Sequence, residues 1–294
     1  MEFGILTLAT PNDYRKAIGL ALSARVSNPG VPLAVACSAK VGELLKPYFD
    51  HVVLENGSLR GFEHKVHLDK YSPFENTFFF DSDVLLFKDL RPVTDSWGHQ
   101  SYTAIGGYMV DGFSSFGLDR QRVLAKIGKD KLVVIDGAGH AFFTKPACQE
   151  VFDLARHVTQ NHAEYAGNIP YADEDVMDIV MTILNLAPAP GDGFFSRHLT
   201  AVPGTLQMDA TVGKCRMIAN YSGLPVEPCM MHFASNEAPF PYAKQLHKLF
   251  KLNGVSTKGL YSEALSDFYT MEILWPLKAR LKRLLKRVGI QLAK

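Results

Sequence analysis

Asp81 and Asp83 stand two residues apart inside an otherwise apolar run, FFFDSDVLLF, residues 78–87. Carboxylates in such surroundings are costly unless something pairs with them. On extended backbone the two-residue spacing directs both side chains to one face. Two oxygens on one face can hold a hard cation such as Mg²⁺ or Mn²⁺. The plainer alternative is a strand that ends in a polar turn, with both carboxylates solvated. A second acidic group, Asp173, Glu174 and Asp175 in DEDVMDIV, sits where a helix is expected to begin. Exposed acids there interact favourably with the helix dipole, by about 0.3–1 kcal/mol apiece.

The elements that must position these residues follow from the hydrophobic pattern. GILTLA, PLAVAC, HVVLE and NTFFF read as strands. Between them DYRKAIGLALSARV, SAKVGELLKPYF and LRGFEHKVHLDKY read as helices. Short apolar strands alternating with helices predict a mostly parallel sheet covered on both faces. Ligands of such sheets bind beyond the carboxyl ends of the strands, where Asp81 and Asp83 fall. Further along, KLVVID and HAFFT read as strands, and KPACQEVFDLARHV and DEDVMDIVMTILNL as helices. Pro and Gly continue through residues 203–241 without a clear linker, and there is no internal repeat.

This order narrows the chemistry. A phosphatase of the haloacid dehalogenase type also follows an apolar strand with D-x-D, its first Asp acting as nucleophile and its second as acid and base. That pattern opens its domain, whereas three strand–helix units precede this one. The later GDGFFS also has no second Asp to complete a metal site. The segment HKVHLDKYSPFENTFFFDSDVLLFKDLRPV instead resembles the central segment of glycosyltransferase family 8, with its lysine helix, apolar strand and D-x-D-x-L. HFASNEAPF is similar to that family's closing pattern at His232, Phe233 and Pro239, but carries Ser235 for Gly, Ala238 for Lys and Phe240 for Trp. DEDVMDIV resembles its D-Q-D helix start, and ATPNDY its nucleotide-binding turn. Four matches in order span roughly residues 5–240; DGAGHAFFTK between them resembles the family only loosely.

The resemblance implies a GT-A-like, Rossmann-related sheet flanked by helices, with a C-terminal helical extension. It implies transfer, with retention, of a hexosyl group from a nucleotide-diphosphate sugar, expected to be a UDP-sugar, to a glycan or lipid-linked saccharide. Asp81, Asp83 and His232 would hold Mn²⁺ or Mg²⁺, which neutralises the leaving diphosphate. By composition alone His232 reads equally as a core histidine. Thr10, Asn12, Tyr14, Lys65, Asp81, Ser82, Asp175 and Ser235 form the expected donor-binding set; Asn12 also reads as a helix cap, and Lys65 as a solvated helix lysine. Asp173 would meet the sugar hydroxyls and Glu174 the reactive carbon, a position that is usually glutamine in bacterial relatives. Ala238 removes a lysine that would contact the diphosphate. A sugar-phosphate nucleotidyltransferase is the enzymatic alternative, although ATPNDYRK lacks the Gly-rich basic loop expected of one. A non-catalytic nucleotide-sugar binder is the other.

The chain has 294 residues, 47% hydrophobic and 21% charged, an ordinary globular composition. Its net charge of +1 hides an asymmetry, because residues 275–294 carry seven basic residues and no acidic one. The remaining 24 Lys and Arg face 30 Asp and Glu, a net of −6. An acidic body argues against nucleic-acid binding. The tail places Leu277, Leu281, Leu284, Leu285, Val288 and Leu292 at helical spacing among the basic residues. It reads as a basic amphipathic helix suited to an anionic membrane surface, or as a terminal helix packed on the acidic body. Cys37, Cys148, Cys215 and Cys229 form no C-x-x-C pair and read as reduced thiols. The start of the chain lacks a signal-peptide pattern. The expected organisation is a transferase domain over 1–240, a helical addition over 241–274 and the tail over 275–294. The expected location is cytoplasmic, on the inner face of the membrane.

Overall fold

A computed structural model describes residues 1–191, 195–197, 201–234, 238–277 and 280. The alternating half of the sequence folds as its periodicity predicts. Strand β1 (Gly4–Ala9) leads through α1 (Tyr14–Ser27) to β2 (Leu33–Cys37), and α2 (Ala39–Leu45) leads to β3 (His51–Leu54). A 3₁₀ segment, Gly61–His67, and a single α-turn, α3 (Leu68–Tyr71), replace the continuous helix expected before β4 (Asn76–Phe80). Four parallel strands result, in the order β3-β2-β1-β4.

The sheet then changes direction. After β5 (Val84–Leu86), α4 (Arg91–Trp97), β6 (Tyr102–Thr103), β7 (Gly106–Met109), α5 (Arg120–Ile127) and β8 (Leu132–Ile135), strand β9 (His140–Thr144) joins β4 antiparallel, and β6 closes the edge beyond it. Strands β7 and β8 form a separate antiparallel pair. Helices α6 (Gln149–Gln160), α7 (His162–Ala166) and α8 (Asp173–Ile183) follow.

Burial explains the run of phenylalanines in β4. Phe78 and Phe80 face one core with Ile18 and Leu20 of α1, while Phe79 faces the other with Phe152 of α6 and Ile179 of α8. Alternate residues of a strand point to opposite faces, so a centrally placed strand is apolar throughout. Each phenylalanine buried this way contributes on the order of 1.5–3 kcal/mol.

The Pro- and Gly-rich part adds short strands that hydropathy did not mark: β10 (Phe195–Arg197), β11 (Gln207–Asp209), β12 (Lys214–Ile218), β13 (Pro225–Val226) and β14 (Met230–His232). Helices α9 (Pro239–Leu252) and α10 (Leu260–Phe268) and π-helical turns over Tyr269–Leu274 complete the helical extension. Apart from 275–277 and 280, the basic tail lies outside the described residues. Among the described residues no helix is long and apolar enough to cross a membrane. All four cysteines are buried and free.

Candidate metal and active site

The acidic pair sits at the carboxyl end of β4, but not on extended backbone. Residues 81–84 form a tight turn in which the Val84 N–H donates to the Asp81 carbonyl at 3.1 Å. The two carboxylates converge because the chain reverses, not because of strand periodicity. Ser82, at the apex, is buried. The turn launches β5, which pairs antiparallel with β14 so that His232 lies opposite Val84. The Phe233 N–H donates to the Asp83 carbonyl at 3.0 Å and continues that register past the turn. The backbone ladder therefore carries the distant histidine to the aspartates. His232 Nε2 lies 3.1 Å from Asp83 Oδ1 and 3.8 Å from Asp81 Oδ2.

Lys65 completes the cluster. Its ammonium lies 2.9 Å from Asp81 Oδ1 and 3.1 Å from Asp173 Oδ2, and donates to the Ala138 carbonyl at 3.0 Å. Lys65 is not a solvated helix lysine, since it bridges two carboxylates from separate elements. Burial works against its charge, but Asp81 and Asp173 outweigh burial and raise its pKa. Burial also pushes the Asp81 carboxyl up despite Lys65 and His232, with Asp83 adding to the rise. Burial opposes the ionised form of Asp83 too, yet the His232 hydrogen bond and charge, with Lys16 and Lys65, bring its pKa below the usual carboxylate value. Two close carboxylates are thus pushed apart in their titration, as like charges in a shared site must be.

The acids of α8 are not an exposed helix start. Asp173 and Asp175 are buried, and so is Asp178 one turn on. Asp178 accepts from the Ile135 N–H at 2.8 Å and Thr182 from the Val133 N–H at 2.8 Å, so α8 caps the backbone of β8. Burial raises the Asp175 carboxyl, opposed by Ser114 and Arg120. It raises Asp178 further, because Glu174 and Asp175 add to the effect. Glu174 lies against the segment 136–139, with Oε2 3.9 Å from where a Cβ on Gly137 would stand.

That segment, DGAG, contributes residues that sequence reasoning passed over. The Gly139 carbonyl accepts from the Asp81 N–H at 2.9 Å. A Cβ on Gly139 would stand 2.3 Å from His232 Cε1. The visible signal was a G-x-G between two strands, where glycine often marks a close backbone approach.

The remaining expected residues separate. Thr10 and Asn12 are exposed at the carboxyl end of β1, and Tyr14 is part-buried against the core. Asp13, not Asn12, precedes the first helical residue, and its carboxylate accepts from the Thr10 N–H. Ser235 lies outside the described residues. Ala238 caps α9 in the left-handed region (φ 49°).

The ligand atoms of Asp81, Asp83 and His232 lie within 4.8 Å of one another. Two hard carboxylate oxygens and an imidazole nitrogen suit a divalent cation, and the repulsion within the aspartate pair is of the kind a cation relieves. The cluster stands at the carboxyl edge of the parallel strands, where an α/β sheet binds its ligands.

No protein-family profile matches the chain, and no curated protein matches it in sequence. Solved structures do match. A galactosyltransferase, LgtC, crystallised with donor and acceptor sugar analogs, superposes with a TM-score of 0.54 over 85% of this chain and 95% of its own, at 16% identity. The glycosyltransferase GlyE of Streptococcus pneumoniae TIGR4 gives 0.54 at 10% identity, covering 90% of this chain and 64% of its own. The chain has a GT-A-like glycosyltransferase fold. The bifunctional glycosyltransferase WbbM shares it, with a TM-score of 0.54 at 11% identity over 85% of this chain, which spans about half of WbbM. The GT-A-like reading accounts for the mixed sheet with its C-terminal helices. Identities of 10–16% spread over different glycosyltransferases single out no one family.

Proposed function

We propose that this chain is a metal-dependent, retaining hexosyltransferase of the family 8 type, using a UDP-sugar and a glycan or lipid-linked saccharide acceptor. The observation that carries the reading is the Asp81, Asp83 and His232 cluster at the carboxyl edge of a GT-A-like sheet, with the acids of α8 beside it. A divalent cation, Mn²⁺ or Mg²⁺, held by these three residues would neutralise charge on the diphosphate leaving group. Lys65 holds Asp81 and Asp173 in place through its two ion pairs. Asp173 orients the sugar through its hydroxyls. Thr10, Asn12 and Tyr14 receive the nucleoside at the end of β1, Ser82 borders the diphosphate, and Asp175 backs the sugar pocket.

Transfer breaks the bond between the sugar carbon and the phosphate oxygen and forms one to the acceptor oxygen on the same face. The acceptor proton passes to the departing phosphate oxygen. Glu174 stabilises the positive charge that develops on the sugar ring. Glu174→Gln should therefore slow turnover with little change in donor affinity; unchanged turnover removes any chemical role for its charge.

The deciding experiment is release of free sugar from a panel of nucleotide sugars with Mn²⁺. His232→Ala and Asp83→Asn should abolish release. Nucleotide binding without release in any donor would make the chain a non-catalytic binder. For the tail, we propose attachment to an anionic membrane surface from the cytoplasmic side. Deleting residues 275–294 should then move the protein to the soluble fraction, and an unchanged distribution refutes that attachment.

A further inference from the structure

Phe62 is 52% exposed and belongs to neither hydrophobic core. A single phenylalanine in water is ordinary, but the position of this one is not. It shares the 3₁₀ segment Gly61–His67 with Lys65, three residues on. Side chains three apart eclipse on a 3₁₀ helix, so the ring stands over the lysine, whose ammonium lies 5.5 Å from the ring centroid. The same ammonium pairs with Asp81 and Asp173. Phe62 is therefore an exposed aromatic ring set directly against the charged cluster of the site.

The turn that presents it is fixed. Gly61 enters it at φ 54°, a conformation glycine adopts without steric cost. The Arg60 N–H donates to Glu63 Oε2 at 3.0 Å, and the Glu63 N–H donates to the Arg60 carbonyl at 3.1 Å. The segment packs on α6 and α8, whereas α1, beside the proposed nucleoside position, packs on the opposite face of the sheet. Tyr171, part-buried and two residues before Asp173, adds a second ring near Glu63, Lys65 and Asp173. Exposure rises from 6% for the Asp173 side chain through 12% for Lys65 to 52% at Phe62. That gradient runs from the floor of the site, where the donor sugar is proposed to lie, to a rim that meets a molecule arriving from solution. A pyranose ring carries C–H bonds on its faces and hydroxyls around its edge. Its weakly positive C–H face suits the negative face of an aromatic ring.

We propose that Phe62 is the stacking platform for a pyranose ring of the saccharide acceptor, at the outer rim of the site above Lys65 and Asp173. This rests on the transferase reading given above, and it makes Phe62 a substrate-binding residue.

The test is binding of the full chain, loaded with Mn²⁺ and UDP, to an array of immobilised neutral oligosaccharides, with calorimetric titration of UDP alongside. The wild type should retain a defined set of saccharides. Phe62→Ala should weaken that binding by about 10-fold, the scale of one lost aromatic contact, and Phe62→Trp should restore it. UDP affinity with Mn²⁺ should hold in Phe62→Ala, which a variant that had disturbed Lys65 would not show. Equal saccharide binding by the wild type and Phe62→Ala overturns the platform and leaves the transferase reading standing. A loss of UDP affinity that matches the loss of saccharide assigns the ring to the nucleotide and overturns the platform as well. If the loaded wild type retains no saccharide, this inference falls, while release of free sugar from the donor panel decides the transferase reading separately.

Discussion

Gly139→Ala should disable the metal site without unfolding the protein. Gly139 has no left-handed backbone to lose, so alanine fits its conformation. The obstacle is His232: the added Cβ would stand 2.3 Å from Cε1, 2.8 Å from Nδ1 and 3.1 Å from Nε2. Ordinary contact begins near 3.4 Å, so the ring must retreat by about 1 Å, whereas metal ligation tolerates roughly 0.2 Å. The ring cannot retreat freely, since His232 is fixed by pairing with Val84 and is followed by the buried Phe233. The expected result is Mn²⁺ affinity weaker by about 10- to 100-fold, the range for losing a group that positions a ligand. Thermal stability in EDTA should change little, because a Gly→Ala replacement gains about 0.4–1 kcal/mol through the unfolded chain, offsetting part of the strain. Gly57→Ala, where nothing lies within 4 Å of the new atom, is the control. Calorimetric Mn²⁺ titration reads the outcome. Wild-type affinity in Gly139→Ala would refute the claim that the glycine exists to let the histidine reach the aspartates.

Other expectations concern the buried charges. Lys65→Met leaves Asp81 and Asp173 facing each other without their ammonium and should cost about 3–5 kcal/mol in urea unfolding with EDTA present; a loss under 1 kcal/mol would show that the bridge is incidental. Asp178→Asn keeps the acceptor for the Ile135 N–H and removes a charge that burial, Glu174 and Asp175 all disfavour. Because the folded pKa of Asp178 is raised, the wild type loses stability as pH climbs from the ordinary carboxylate value toward the folded one. The variant should therefore melt higher at pH 8, by about 2 °C or more per kcal/mol gained, with the gain vanishing near pH 3.5. A lower melting temperature at pH 8 would contradict the assignment.

How much of this was legible in the sequence depends on how local the determinant is. The parallel half was readable because each strand and helix announces itself within a dozen residues. The turn at 81–84 was not, since D-S-D between apolar runs reads as one strand until β5 is seen to pair with β14, about 145 residues later. Strands of two or three residues such as β13 and β14 carry no usable periodicity and exist through their partners. Helix patterning before β4 was over-read, as Gly61–His67 winds into a 3₁₀ segment that drives Lys65 inward. The burial of Lys65 depends on Ala138 and Asp173, 73 and 108 positions away in the chain, and no local pattern in a polar segment reports that. His232 was placed by family spacing, and the structure supplies the mechanical reason in the β5–β14 ladder.

The strand order β3-β2-β1-β4-β9-β6 has a consequence for biosynthesis. The first four strands assemble in parallel from residues 4–80, and their Phe-rich edge, β4, then waits for β9 some 60 residues later. At about 5–20 residues per second a nascent chain shows that open apolar edge for roughly 3–12 s. The aspartates wait longer for their histidine, roughly 7–30 s by the same rates. On the ribosome, then, this protein would be most in need of a chaperone in the interval between its fourth and ninth strands, and the Asp81, Asp83 and His232 cluster could not assemble until synthesis had passed residue 232.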